Sequence, residues 1–299
     1  MKINRKIQNI GLAIIAGIAL IGFIIGCFLD EQLTNKIGDF DSLYGIMFAG
    51  FGPIPVLAIG TLVGSFLLFM PKIEHKKWNV VLRVLGVLTI AVMIFAQVKE
   101  GVDYLEFPRM EPQETTYKVL MLTFIAILNL FIILYSRLWV KKIETRKLIV
   151  ISLLILAVIV IYFVAGEAIK YLASRPRPRI IIIKHRLYFK AWYEWKPFAA
   201  LFNEEYEGCK SFVSGHTANA ACMITLLPLT VDLFRKENSN KLQIICLIIG
   251  GIFTVIVAFS RIVALAHWLT DVTGGILVSC AAQALVINVA PKIIKKFEK

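Results

Sequence analysis

The chain has 299 residues, of which 58% are hydrophobic and 18% charged, with a formal net charge of +13 and a mean hydropathy of +0.76. Soluble domains are nearer half apolar and a quarter charged, so a water-soluble globule is excluded and the chain reads as an integral membrane protein. The positive charge is divided among linkers and one polar connection, which excludes a nucleic-acid-binding face.

Eight segments are long and apolar enough to cross a hydrocarbon core of about 30 Å as helices. In chain order they are Ile10 to Leu29, Tyr44 to Phe69, Val80 to Val98, Tyr117 to Trp139, Leu148 to Ile169, Thr217 to Phe234, Leu242 to Phe259 and His267 to Ala290. The first follows Lys2, Arg5 and Lys6 but ends in Cys27-Phe28-Leu29-Asp30, without a small-residue cleavage site, so it reads as a retained anchor.

The linkers orient the spans. With a cytoplasmic N-terminus, Lys72 to Lys77, Arg137 to Lys147, Arg235 to Lys241 and the tail with Lys292, Lys295, Lys296 and Lys299 fall inside, and all are basic as the positive-inside rule asks. The outer linkers Asp30 to Ser42 and Lys99 to Thr116 are acidic on balance, the second carrying Glu100, Asp103, Glu106, Glu111 and Glu114 against Lys99 and Arg109. The expectation is a multi-pass plasma-membrane protein with both termini cytoplasmic.

One outer connection, Lys170 to Val213, is basic and so breaks the pattern. Between Lys184 and Lys196 the charges interleave with Tyr188, Phe189, Trp192, Tyr193 and Trp195, which reads as an interfacial belt meeting anionic headgroups. Lys170, Arg175 and Arg177 are better suited to an anionic substrate. Of the five cysteines, Cys27, Cys222, Cys246 and Cys280 fall in apolar spans and Cys209 in this connection. They offer no disulfide framework and no metal-ligand spacing, so no metal and no other cofactor is expected.

Three polar islands carry chemistry, all on the expected outer face. In the first, Lys170 ends the fifth span and Arg177-Pro178 follows, with Pro176 and Pro178 holding the backbone extended so that the guanidinium has a stiff support. Lysine and arginine together can neutralise a phosphate dianion. In the second, Ser214-Gly215-His216 opens the sixth span, where free N–H groups and the helix dipole favour an anion and Gly215 permits close approach. His216 is placed to act as a general acid. In the third, Ser260-Arg261 ends the seventh span, and His267 and Asp271, four apart, share one face at the start of the eighth. There Asp271 can orient His267 as a nucleophile while Arg261 clamps equatorial oxygens. Taken singly, the islands also fit juxtamembrane basic residues, a capped helix start and an interfacial His-Asp pair. Together, ten specified residues would arise in this order by chance about once in a million chains of this length.

These residues resemble the type 2 phosphatidic acid phosphatase superfamily of lipid phosphate phosphatases, in its bacterial membrane branch. Its pattern is K-x6-R-P, then P-S-G-H, then S-R-x5-H-x3-D; here it reads Lys170 to Pro178, Val213 to His216, and Ser260-Arg261 through His267 to Asp271. The resemblance implies an all-α polytopic bundle of about eight helices. Within it a six-helix phosphatase core would span 79–299, with active-site loops at 170–216 and 260–271 and two additional helices in 1–78. It further implies that Lys170, Arg177, Ser214, Gly215 and Arg261 bind phosphate, that His267 attacks phosphorus to give a phosphohistidine, that Asp271 orients it, and that His216 protonates the leaving group, without a metal. Arg175 and Glu167 are auxiliary candidates; Glu167, three residues before Lys170, is read first as a partner for Lys170 or Arg175. Val213 replaces the family proline, so the turn loses a fixed φ and slower turnover is expected. The implied activity is removal of the terminal phosphate of a lipid mono- or diphosphate at the outer face. Undecaprenyl diphosphate leads the expected substrates, followed by phosphatidylglycerophosphate and phosphatidic acid. A phosphotransferase using the same intermediate, or a non-catalytic protein that binds lipid phosphate, are the alternatives. The expected partners are the lipid substrate and surrounding membrane lipids, with no nucleic acid and an open oligomeric state.

Overall fold

In the computed structural model, which describes residues 4–102, 114–235 and 240–296, the chain is helical and the described residues contain no strand. The α-helices are α1 (Arg5–Ile37), α2 (Leu43–Phe51), α3 (Ile54–Phe69), α4 (Lys76–Val102), α5 (Glu114–Trp139), α6 (Thr145–Ala173), α7 (Pro178–Ile182), α8 (Gly215–Phe234), α9 (Asn240–Val263) and α10 (Leu269–Lys296). They provide eight spans long and apolar enough to cross a membrane, the number expected from hydropathy. Asp103, Glu106, Arg109 and Glu111, Lys2, Lys299 and residues 236–239 lie outside the described residues, as do the side chains of Glu114, Lys292, Lys295 and Lys296.

Local chemistry explains the departures from the expected ends. The first helix runs past both limits because Asn4 accepts hydrogen bonds from the Lys6 and Ile7 N–H groups and the Gly38 N–H closes on the Thr34 carbonyl. Hydropathy marks only the part that crosses lipid, whereas caps mark where the helix stops. The second span is two helices, since Gly52 ends α2 and Pro53 and Pro55 open α3, where their missing N–H groups cost nothing.

Helix α1 lies along α9 and α10, and α3 packs on α6 and α8, while α4 and α5 rest on α3. The N-terminal helices are therefore inside the bundle that carries the islands, with α8 at its centre. Val56, Val63 and Phe66 of α3, Ile151 and Ile155 of α6 and Cys222 and Leu226 of α8 form the main buried cluster. Large apolar residues such as Phe28, Phe95 and Leu138 remain exposed, as lipid-facing positions do.

The helices alternate in direction, so the two ends of the bundle differ. At one end Asn4 meets Asn240 and Gln243, and Lys147 meets Asp232. The end of α6 and the starts of α8 and α10 gather at the other, which is the end that carries all three islands.

Candidate active site

Helix ends bring the islands together. Lys170, Arg177, Gly215, His216 and His267 line a single cavity of about 410 Å³. Ser214, Arg261 and Asp271 stand behind that lining and are fully buried.

His267 is anchored through one ring nitrogen. Its Nδ1 is 2.8 Å from the Ser211 carbonyl oxygen, which can only accept, so Nδ1 carries the proton and Nε2 keeps its lone pair. Burial holds the His267 imidazole well below its ordinary pKa, and the nearby cations Arg177, Arg261 and Lys170 push it the same way. The neutral ring is thus kept through the range in which a free histidine becomes charged. Because the folded value is depressed, protons bind the unfolded chain first as pH falls, and the stability from this neutral burial fades below the unfolded histidine pKa. The rate at which diethyl pyrocarbonate acylates His267, followed by peptide mass spectrometry, is expected to stay nearly flat from pH 7.5 to about 6, whereas a solvent histidine slows several-fold.

Asp271 stands behind His267 and reaches it chiefly through the chain around Ser211. Its Oδ2 is 3.7 Å from His267 Nδ1. The same oxygen accepts the Trp268 N–H at 2.9 Å and takes the Ser211 hydroxyl in a short hydrogen bond. The Ser214 N–H closes on the Asp271 carbonyl at 2.9 Å. Asp271 therefore fixes the strand of chain whose Ser211 carbonyl holds the ring.

The cations divide by role. Arg177 donates through its backbone N–H to the Gly208 carbonyl and through Nε to the Glu207 carbonyl, at 2.8 and 3.1 Å, while its buried Nη1 has no hydrogen-bond partner. An orphaned guanidinium N–H at a cavity wall is the structure's clearest request for an anion. Lys170 Nζ pairs with Glu167 at 2.5 Å, the partnership expected from their spacing. Arg261 donates from Nη2 to the Gly45 carbonyl at 2.8 Å and lies off the cavity wall. Arg175 corrects the expectation of an anionic substrate: Asp30, Thr270, Asp271 and the Lys190 carbonyl accept its hydrogen bonds, because two buried carboxylates need a cation between them.

The opening of α8 is shaped for an anion. Ser214 caps it, accepting from the Thr217 N–H and hydroxyl. A Cβ on Gly215 would stand 3.0 Å from Lys170 Nζ, so the bare α-carbon leaves the ammonium room above the first free N–H groups. Gly215→Ala is expected to displace Lys170 and raise KM about tenfold with little change in kcat, as measured by steady-state phosphate release. His216 Nε2 donates to the Ala49 carbonyl at 3.0 Å and lies 3.6 Å from Glu100 of α4.

Several charges of the basic connection between α6 and α8 pair within it. Lys184 and Arg186 both reach Glu205, at 3.0 and 2.6 Å. These contacts hold the Glu205 carboxyl below its usual range, with the Lys184 hydrogen bond the largest cause. Lys190 is buried, donates to the Ala173 carbonyl at the end of α6, and is lowered in pKa by that burial. Trp192 packs edge-on against Phe23, while Tyr188, Tyr193, Trp195, Phe198 and Phe202 are exposed.

Ser211, Asp30 and Glu100 are the site neighbours that the sequence reading missed. A single loop serine carries no pattern, and both carboxylates look like ordinary outer-linker charge. The one usable signal was the spacing Gly22, Gly26, Asp30, a single helix face ending in a carboxylate.

Fold and site together define a multi-pass helical membrane protein with a cationic, two-histidine pocket at one end of the bundle. The model of the PAP2 superfamily matches residues 146–295, half of the chain and the whole of the three islands, and the chain belongs to that superfamily. Its members are phosphatases acting on phosphate esters, which makes this chain a hydrolase of that general kind. Comparison with curated proteins and with solved structures returned no match.

Proposed function

We propose that the protein removes the terminal phosphate of a lipid mono- or diphosphate at the outer membrane face. The observation that carries the lipid is the shape of the cavity. From the polar end at Lys170, Arg177 and His267 it continues between Val92, Phe95 and Ala96 of α4 and Ile159, Val160 and Phe163 of α6. Phe95 and Phe163 are 68% and 59% exposed on the lipid-facing surface, so the apolar part of the cleft is continuous with the bilayer. A headgroup can enter while its tail stays in hydrocarbon, an arrangement with no use for a soluble ester.

In this reading Lys170, Arg177 and the N–H groups opening α8 hold the phosphate oxygens, and Arg261 adds positive charge from behind the cavity wall. The Nε2 lone pair of His267 forms the N–P bond as the P–O bond to the lipid breaks, and His216 gives the departing oxygen its proton. His216 then takes a proton from water, which attacks phosphorus, releases inorganic phosphate and restores His267. The three cations supply the charge that phosphoryl transfer requires, and the chemistry proceeds without a metal.

The test is inorganic phosphate release by detergent-purified protein, with EDTA present, from undecaprenyl diphosphate, phosphatidylglycerophosphate and phosphatidic acid. Release that survives EDTA is expected, with the isoprenyl diphosphate leading. Release only when a lipid acceptor is added would instead mark a phosphotransferase, and no release at all, with lipid phosphate still bound, would leave a binding protein.

A further inference from the structure

Behind His267 lies a layer of charge that the reaction above does not consume. Asp271 shares the guanidinium of Arg175 with Asp30, which comes from α1, outside the stretch that matches the family. Arg175 Nη2 donates to Asp30 Oδ2 at 2.9 Å, and Nη1 donates to Asp271 Oδ1 and to Thr270 Oγ1 at 2.7 Å each. Asp30 Oδ1 also accepts the Thr270 N–H at 2.9 Å, in the first turn of α10. Trp268 and Phe189 flank the guanidinium at 5.4 and 5.6 Å. Asp30, Arg175 and Asp271 are 4%, 1% and 0% exposed.

The approach of α1 is built for this contact. Gly22, Gly26 and Asp30 are four residues apart and share one face. A Cβ on Gly26 would stand 2.9 Å from the Thr270 nitrogen, and one on Gly22 would stand 2.9 Å from Thr273 Cγ2. Small residues let membrane helices close on each other, and here the closure delivers a carboxylate to free N–H groups.

Charge decides what the carboxylate is for. One guanidinium and one carboxylate would leave the layer neutral, whereas a second carboxylate, when ionised, leaves it one negative charge in excess. Burying an excess charge is costly unless something nearby gains from it. His267 gains: attack through Nε2 turns a neutral ring into a cationic phospho-imidazolium, whose Nδ1–H still points at the Ser211 carbonyl. We propose that Asp30 is a positioning residue for phosphoryl transfer. Acting through Arg175, it fixes Asp271 and Ser211 behind His267 and leaves the layer the negative charge that steadies the ring as it becomes cationic. This inference rests on His267 being the nucleophile.

The experiment compares the full chain with Asp30→Asn in detergent, reading kcat, KM and the rate at which diethyl pyrocarbonate acylates His267. The expected result is a kcat lower by about tenfold to a hundredfold, the effect typical of orienting groups one layer back, with KM within about twofold and acylation slowed in parallel. A kcat per folded molecule equal to wild type would overturn the proposal. So would a loss of thermal stability with unchanged acylation, which marks a strut and nothing more. If Asp30→Asn yields no folded protein, Thr270→Val decides, because it removes one hydroxyl from the layer and keeps both carboxylates: lower kcat at unchanged KM supports the role, and wild-type kcat sinks it. Should the wild-type chain release no phosphate from any lipid, the phosphatase reading fails by itself, while the acylation rates still report on Asp30.

Discussion

His267→Gln is expected to reduce phosphate release by at least about 10⁴-fold, leaving the affinity for inorganic phosphate within a few-fold of wild type. Removing a covalent nucleophile removes the intermediate, and what survives is whatever rate the binding groups give to direct attack by water. Glutamine suits the test because it is uncharged and close to histidine in reach, so it lines the cavity without offering a nucleophilic lone pair. The intact cations Lys170 and Arg177 should go on binding phosphate. Quantifying released phosphate over long incubations, alongside inhibition by inorganic phosphate, separates the two quantities. Residual turnover above about one percent of wild type would take the nucleophile away from His267.

Arg177→Ala is expected to lower kcat/KM by about 10²- to 10³-fold, or roughly 3–4 kcal/mol, and Arg177→Lys to recover only a small part of that. The reason is the buried Nη1 that has no hydrogen-bond partner. Leaving such a group unsatisfied costs about 1–3 kcal/mol in the empty site, and a bound phosphate oxygen relieves it. A lysine keeps the charge but not the planar fork, and the backbone bonds to Gly208 and Glu207 that aim the fork were built for arginine. Steady-state kinetics on the lipid that turns over fastest checks both substitutions. Equal activity of the lysine variant would show that this position supplies charge alone.

What could be read from the sequence depended on how far each signal reaches along the chain. The eight spans were legible because hydropathy is a local sum, and the three islands because each is a short run of residues at helix ends. The roles of Asp30 and Arg175 were not, since their ion pair joins residues 145 positions apart and the Asp30 to Thr270 bond joins residues 240 apart. Arg175 looked like Arg177 because both flank the same prolines; only the fold turns one toward two carboxylates and the other toward the cavity. Ser211 was invisible for another reason. Its decisive atom is a backbone carbonyl, which every residue possesses, so its side chain could not announce the role.

The contact between Asp30 and Thr270 also has a consequence for how the protein is made. Helix α1 precedes the other described helices in the chain, and α10 emerges only after all of them. Until α10 is in place, Arg175 lacks Asp271 and the Ser211 loop lacks its carboxylate anchor. On the proposed reaction, a nascent chain that displays Lys170, Arg177 and the Ser214 turn before α10 docks against α1 is expected to be inert.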